Sequence, residues 1–325
     1  MNNTASGLAE AQKSSADSPG SKRKPLITRR QAAITTAAAE LEKRSVQSQP
    51  KALVPWFMAI LSMPYKDPGN VPAWERVNGD YSIQIVPDVV DGVARYPYGS
   101  IPRLLMIWMS TQARITDSPV LDVASSLDAF VKEIGLSSGG KQRAAVMDQM
   151  NRLFGAGVRL KSNTEQERDG GPVRRLQGKN FFLVDSSDVL FTRADTDGQQ
   201  PLWGSTITLS ASFFEQIKGQ SFPVLTQALK TFKTSPLQTD IYLFLVYRLF
   251  SVKAPVRITW QQLNAQFGAQ YERDRDFKAA FIKNLAEVAK FYPEANYKVT
   301  QDYLILYRSK QHIPSKPIKE ALEEN

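Results

Sequence analysis

One order of elements is written twice along this chain, and that repetition limits the possible folds more than any bulk property. Each copy has an apolar helix, a short helix ending at a glycine, a longer basic helix, and then strands. The first copy runs from Ser100-Ile101-Pro102 through Ile134-Gly135-Leu136 to a helix over 141–154 and a strand from Val158 to Ser162. The second runs from Ser235-Pro236-Leu237 through Gln266-Phe267-Gly268 to a helix over 274–290 and strands near Tyr297 and Tyr303. A helix leaves its first N–H groups without partners, so a capping side chain marks its start. Capping-box spacing occurs at Ser125-Ser126-Leu127-Asp128, Ser235-Pro236-Leu237-Gln238 and Thr259-Trp260-Gln261-Gln262. Ser100 is the expected cap of the first helix, with Pro102 in the first turn, where its missing N–H costs nothing. The caps recur at matching places, which helical periodicity alone would not produce.

The apolar stripes agree with this division. Leu104, Leu105, Trp108 and Met109 line the first helix of the first copy, and Val146, Met150, Leu153 and Phe154 line its third. Ile241, Leu245 and Leu249, then Phe277, Phe281, Leu285 and Val288, do the same in the second copy. Leu121–Val123, Val173–Leu176, Lys179–Val184 and Asp185–Thr192 read as strands of the first unit. A strand over Thr206–Leu209 and a helix over Ala211–Lys218 open the second unit, and a hairpin of Tyr297–Thr300 and Tyr303–Tyr307 closes it. Three helices followed by a hairpin form the winged variant of the helix-turn-helix, whose third helix enters a DNA major groove. The expected fold class is therefore α+β, mainly helical, with two tandem winged-helix domains and a disordered N-terminal tail.

Residues 1–50 read as a flexible basic tail with a helix, 51–200 as a lead-in segment and the first winged-helix domain, 201–315 as the second, and 316–325 as a C-terminal tail. Met1–Ser21 is poor in large apolar side chains, so it cannot bury enough surface to order itself. A basic knot follows at Lys22-Arg23-Lys24 and Arg29-Arg30, then an alanine-rich helix from Arg29 to Val46. Residues Pro50–Asp91 are expected to pack on the first domain, and Asp195–Pro201 to form a linker.

Charge narrows the partner. The formal net charge is +9, which favours a polyanion, nucleic acid before membrane. The runs Ala52–Met63 and Ile241–Val252 are too short to span a bilayer, and no secretory signal is visible, so a soluble cytoplasmic protein with no membrane partner is expected. On the last helix, Arg275, Lys278, Lys283 and Lys290 lie opposite the buried stripe with Ala279, Ala286 and Ala289 between them. Small residues between cations let a helix approach a groove while the long side chains reach phosphates or guanine edges. Asp274, Asp276 and Glu287 on the same helix leave a plain solvated face as the alternative. The first unit offers Lys141, Gln142, Arg143, Asn151 and Arg152, with Asp148 as a discordant charge. Its hairpin adds Arg159, Lys161, Arg174, Arg175 and Lys179, which suit phosphate contact better than base reading.

Catalytic readings fail on chemistry. The segment from Gly135 to Gln142 nearly matches a phosphate-binding loop, but Gln142 stands where a hydroxyl should ligate magnesium, and a helix precedes it. Asp195-Thr196-Asp197-Gly198 hints at a calcium loop, yet Arg193 and Gly204 occupy its first and last ligand positions. There is no cysteine and one histidine, His312, so thiolate, paired-histidine and serine–histidine chemistry lack their parts. A non-enzymatic protein without metal or cofactor is expected.

The segments Tyr96–Leu105, Gln149–Phe154, Ser235–Tyr242, Tyr247–Phe250, Trp260, Gln266–Gly268, Arg275–Lys278 and Tyr292–Ala295 together resemble the RepA-type replication initiators of broad-host-range bacterial plasmids. The likeness covers roughly Tyr96 to Pro314 and departs from the family pattern at Lys141-Gln142-Arg143. It implies a plasmid-associated initiator that binds directly repeated sites in double-stranded origin DNA and helps open adjacent A·T-rich DNA. It also implies recruitment of the host initiator and replicative helicase, and a homodimer in equilibrium with monomer that restrains copy number. A transcriptional repressor on the same fold is the alternative.

Overall fold

The computed structural model describes residues 28–124, 126–168, 171–189, 205–268, 271 and 273–314. The tail up to Ile27, Ser125, the linker over Asp195–Pro201 with the calcium-like segment, and the C-terminal tail lie outside the described residues.

Helix α1 (Arg29–Glu42) starts at a complete capping box between Thr28 and Gln31. The expected helix stops short of Val46, which instead opens a single 3-10 turn. The lead-in then forms β1 (Lys51–Pro55), α2 (Phe57–Ile60), β2 (Trp74–Asn78), β3 (Tyr81–Val86), β4 (Asp88–Val90) and β5 (Val93–Arg95). It does not rest on the first unit alone. β1 is buried at all five residues and pairs antiparallel with β11 (Ser221–Leu225), far along the chain. A strand buried on both faces needs cover from both sides, and one unit cannot supply it.

The first repeat contains α3 (Ser100–Thr116), β6 (Val120–Val123), α4 (Leu127–Glu133), α5 (Gly140–Gly155), β7 (Gly157–Arg168) and β8 (Gly171–Phe182). Its caps differ in detail from the expectation. Gly99, at φ 78°, precedes α3, so Ser100 is the first helical residue rather than the cap. Ser126 caps α4 by accepting from Ala129 N–H. Gly135 ends α4 at φ 86°, where its N–H donates to Lys132 O and Leu136 N–H donates to Val131 O. That is a Schellman stop, and it needs a residue that tolerates the left-handed region. The strands expected at Val173–Leu176 and Lys179–Val184 merge into one strand as far as Phe182.

Beyond the bend at Leu183, β9 (Val184–Asp188) leaves that hairpin and pairs with β10 (Ser205–Leu209). β10 also pairs with β6, giving the order β6-β10-β9. The strand expected to open the second unit thus completes a sheet of the first. The hairpin β7–β8 extends the sheet β2-β3-β7-β8 instead.

The second repeat follows α6 (Ala211–Gly219) and α7 (Thr226–Phe232). It contains α8 (Pro236–Arg248), β12 (Val256–Thr259), α9 (Trp260–Phe267), α10 (Asp274–Val288), β13 (Tyr297–Val299) and β14 (Tyr303–Leu306). Ser235 caps α8 with Pro236 just inside, and Thr259 with Gln262 forms a full capping box on α9. β12 joins the hairpin in the order β12-β14-β13. Phe277, Phe281, Leu285 and Val288 are all buried.

One continuous apolar cluster runs from Ile34 through both repeats to Ile313. Where the repeats meet, Arg103 of α3 is buried against Asp240 of α8, with their side chains 1% and 3% exposed.

Candidate nucleic-acid interface

Helix α10 presents its cations by simple geometry. Burying Phe277, Phe281, Leu285 and Val288 turns Arg275, Ala279, Lys283, Ala286 and Lys290 to the opposite side, where all five are exposed. Glu287, counted in the sequence against this face, turns inward and accepts a hydrogen bond from Gln238. Gln238 in turn accepts from Arg30 of α1 at 2.7 Å. Only Asp274 and Asp276 remain as acids on α10, both in its first turn, where they complement the helix dipole.

The four predicted cations of this helix differ in their partners. Lys283 has no hydrogen bond or ion pair among the described residues and stands free in solvent. Arg275 approaches only its neighbour Asp276, at 3.6 Å with both side chains largely exposed. Lys290, just past the end of α10, donates to Thr35 Oγ1 of α1 at 2.9 Å. Lys278 donates to Gln301 O at 2.5 Å and lies 5.1 Å from the Trp260 ring centre. Trp260 Nε1–H donates to the same carbonyl at 2.9 Å. Lys278 and Trp260 therefore pin the turn of the β13–β14 hairpin to α9 and α10. Nothing local in the sequence signals this, because Gln301 lies 23 residues beyond Lys278.

Helix α5 of the first repeat is arranged differently. Arg143 donates to both carboxylate oxygens of Asp128 on α4, each at 3.0 Å. Arg152 is held by Asp148 at 2.8 Å and Asp67 at 3.1 Å, and lies 5.4 Å from the Tyr98 ring centre. Arg95 meets Asp148 from the other side at 2.7 Å. The discordant Asp148 is thus the hub that anchors α5 to β5. Lys141 and Asn151 are exposed and Gln142 half-buried.

The β7–β8 hairpin carries the remaining predicted cations. Arg174 and Arg175 are exposed, and Arg174 pairs loosely with cross-strand Glu165 at 3.8 Å. Arg159 donates to Gln84 at 3.0 Å. Every residue from Val173 to Asn180 is exposed, with Leu176 at 77%. Lys161, Lys179 and Arg248 are among the residues lining an open cleft of about 920 Å³.

His312 serves packing. It is buried between Tyr242 and Tyr292, and burial pushes its pKa down to about 4. His312 Nε2 and the Tyr242 hydroxyl share a hydrogen bond of 3.1 Å, and that hydroxyl accepts from Leu225 N–H at 3.0 Å. The same burial raises the Tyr292 phenol to about 12.

The sequence profile of the plasmid-encoded RepA protein family matches residues 96–262, just over half of the chain. The chain belongs to the plasmid-encoded RepA family. The match begins at Tyr96, spans the first repeat, and reaches α9 of the second. No curated protein matches the chain by sequence. Among solved structures, two crystal structures of domains 2 and 3 of RctB resemble this RepA-family chain at 13% identity. They cover 79% and 83% of it and 98% and 99% of their own lengths, with TM-scores of 0.48 and 0.47. That likeness is too loose to add to what the topology itself displays. No helix among the described residues is long and apolar enough to cross a membrane.

Proposed function

We propose that this RepA-family protein is a replication initiator that binds directly repeated sites in double-stranded origin DNA as a pair of winged-helix units. The observation that carries the reading is the face of α10, where Arg275 and Lys283 flank small residues and no acid beyond the first turn opposes them. In the second unit, the strand between the first two helices joins the closing hairpin, as a winged helix requires. In the first unit the same strand joins β10 instead, so we read that unit as a variant whose hairpin is a longer arm.

On this reading α10 lies in a major groove, with Lys283 and Arg275 reaching phosphates or guanine edges. Lys290 joins them by exchanging its bond to Thr35 for a phosphate. Lys278 acts at one remove by fixing the hairpin against the helix. In the first unit the free groups Lys141, Gln142 and Asn151 face the duplex, and Arg174 and Arg175 grip backbone from the arm. Arg143 and Arg152 are already neutralised and hold the helix in place. Opening of adjacent A·T-rich DNA, helicase recruitment from the host and a monomer–dimer equilibrium follow from the family reading alone.

A footprint of the purified protein on its own plasmid tests the proposal. Protection of several same-direction repeats beside an A·T-rich stretch is the expected result. Protection of a single inverted repeat at a promoter would overturn the initiator reading in favour of a repressor.

A further inference from the structure

The most buried ion pair among the described residues joins the leading helices of the two repeats. Arg103 Nε and one terminal nitrogen donate to the two carboxylate oxygens of Asp240, each at 2.8 Å. The remaining donors reach Met63 O at 2.8 Å, Pro64 O at 3.3 Å and Gly99 O at 2.6 Å. All five guanidinium donors are therefore used, on acceptors from three separate pieces of chain. The Tyr65 ring covers the group, its centre 4.9 Å away. Arg103 lies in the first turn of α3 and Asp240 near the start of α8, so the pair ties together the leading helices of both repeats.

Such a pair is a poor source of stability, because desolvating two charges offsets most of their attraction. Its distinctive property is directional. Two parallel N–H···O bonds between a planar fork and a carboxylate fix mutual orientation, whereas apolar surfaces can slide. Each leading helix packs on its own unit's third helix, α3 on α5 and α8 on α10. An angle set at Arg103–Asp240 is thus carried rigidly to both groove-facing helices.

We propose that the Arg103–Asp240 pair sets the spacing between the two DNA grooves that one molecule reads, making both residues positioning determinants of site specificity. This rests on the reading of paired groove-binding helices given above. The test uses the full-length protein, the footprinted repeat, and a copy with two base pairs inserted between the two protected grooves, which rotates one groove against the other by about 70°. For the unaltered protein the insertion should weaken binding by about tenfold or more, the order of one lost base-pair contact.

Arg103→Met combined with Asp240→Asn removes the fork without stranding a charge, and should shrink that spacing penalty several-fold while also weakening binding to the native repeat. Arg103→Lys keeps the charge and the packing but loses the fork, and should give an intermediate penalty; it also serves if the double variant fails to fold. Thermal unfolding checks both variants. A folded variant whose spacing penalty equals that of the unaltered protein would overturn the proposal. A footprint of the unaltered protein covering one groove per repeat would instead overturn the paired-helix reading beneath it.

Discussion

The third helices of the two repeats carry similar numbers of cations and use them in opposite ways. On α5, Arg143 closes onto Asp128, and Arg152 onto Asp148 and Asp67. On α10, Lys283 is free and Arg275 meets only its neighbour Asp276, while Glu287 is turned into the protein. The same contrast appears in the strands. The second repeat has a short hairpin held by Lys278 and Trp260, and its sheet includes the strand from its own helical core. The first has a hairpin of two twelve-residue strands, the second of which is exposed from Val173 to Asn180. Counting cations along a helix therefore misjudges binding capacity, since only charges without internal partners remain to displace counterions.

The largest effect that separates the repeats is expected in acid. The chain's single histidine belongs to the second one, buried and neutral. Its pKa is held at about 4, below the unfolded value near 6.5, so the unfolded chain takes up the proton first. Stability is fully present above pH 6.5 and is lost as pH falls toward 4, by about 3 kcal/mol in total. Hydrogen exchange across that range should show α8 and β14 losing protection ahead of α4, and His312→Gln should flatten the dependence. Equal acid sensitivity of the two repeats would contradict the assignment.

Next in size is the pair Arg275→Ala with Lys283→Ala, expected to weaken origin binding by roughly tenfold to a hundredfold and to reduce the salt slope by about two. A salt-titrated binding curve with an unchanged slope would remove α10 from the interface. Arg152→Ala should do the reverse. It takes the ion-pair partner from Asp67 and leaves Asp148 with Arg95 alone, and costs about 1 kcal/mol in thermal unfolding, yet leaves the salt slope where it was. Smallest is Lys278→Ala, which should lower the slope by less than Lys283→Ala while raising exchange at the β13–β14 turn, because its ammonium is already held by Gln301.

Helix positions were legible because their causes are local. Thr259 and Gln262 satisfy each other's backbone within one turn, and Phe277, Phe281, Leu285 and Val288 share a face by spacing alone. The partners of charged groups were not legible. Arg152 meets Asp67 across 85 residues, and no pattern near either predicts it. Strand partners failed for the same reason. β6 alternates as any half-buried strand does, and only the assembled molecule shows that it pairs with β10 rather than with the hairpin following α5. The candidate site was found as a face of a helix, but which cations on it are free depended on contacts that sequence spacing does not encode.

The pairing of β1 with β11 also has a consequence for how the protein is made. Lys51 faces Leu225, so the buried strand near the start of the chain waits for a partner synthesised much later. At about 5–20 residues per second that wait is on the order of ten seconds, during which an apolar strand has no ladder to join. A nascent chain stalled after the first repeat should therefore stay open to protease around Ala52–Val54. Protection should appear once Ser221–Leu225 has left the ribosome, making emergence of that strand the event that closes the fold.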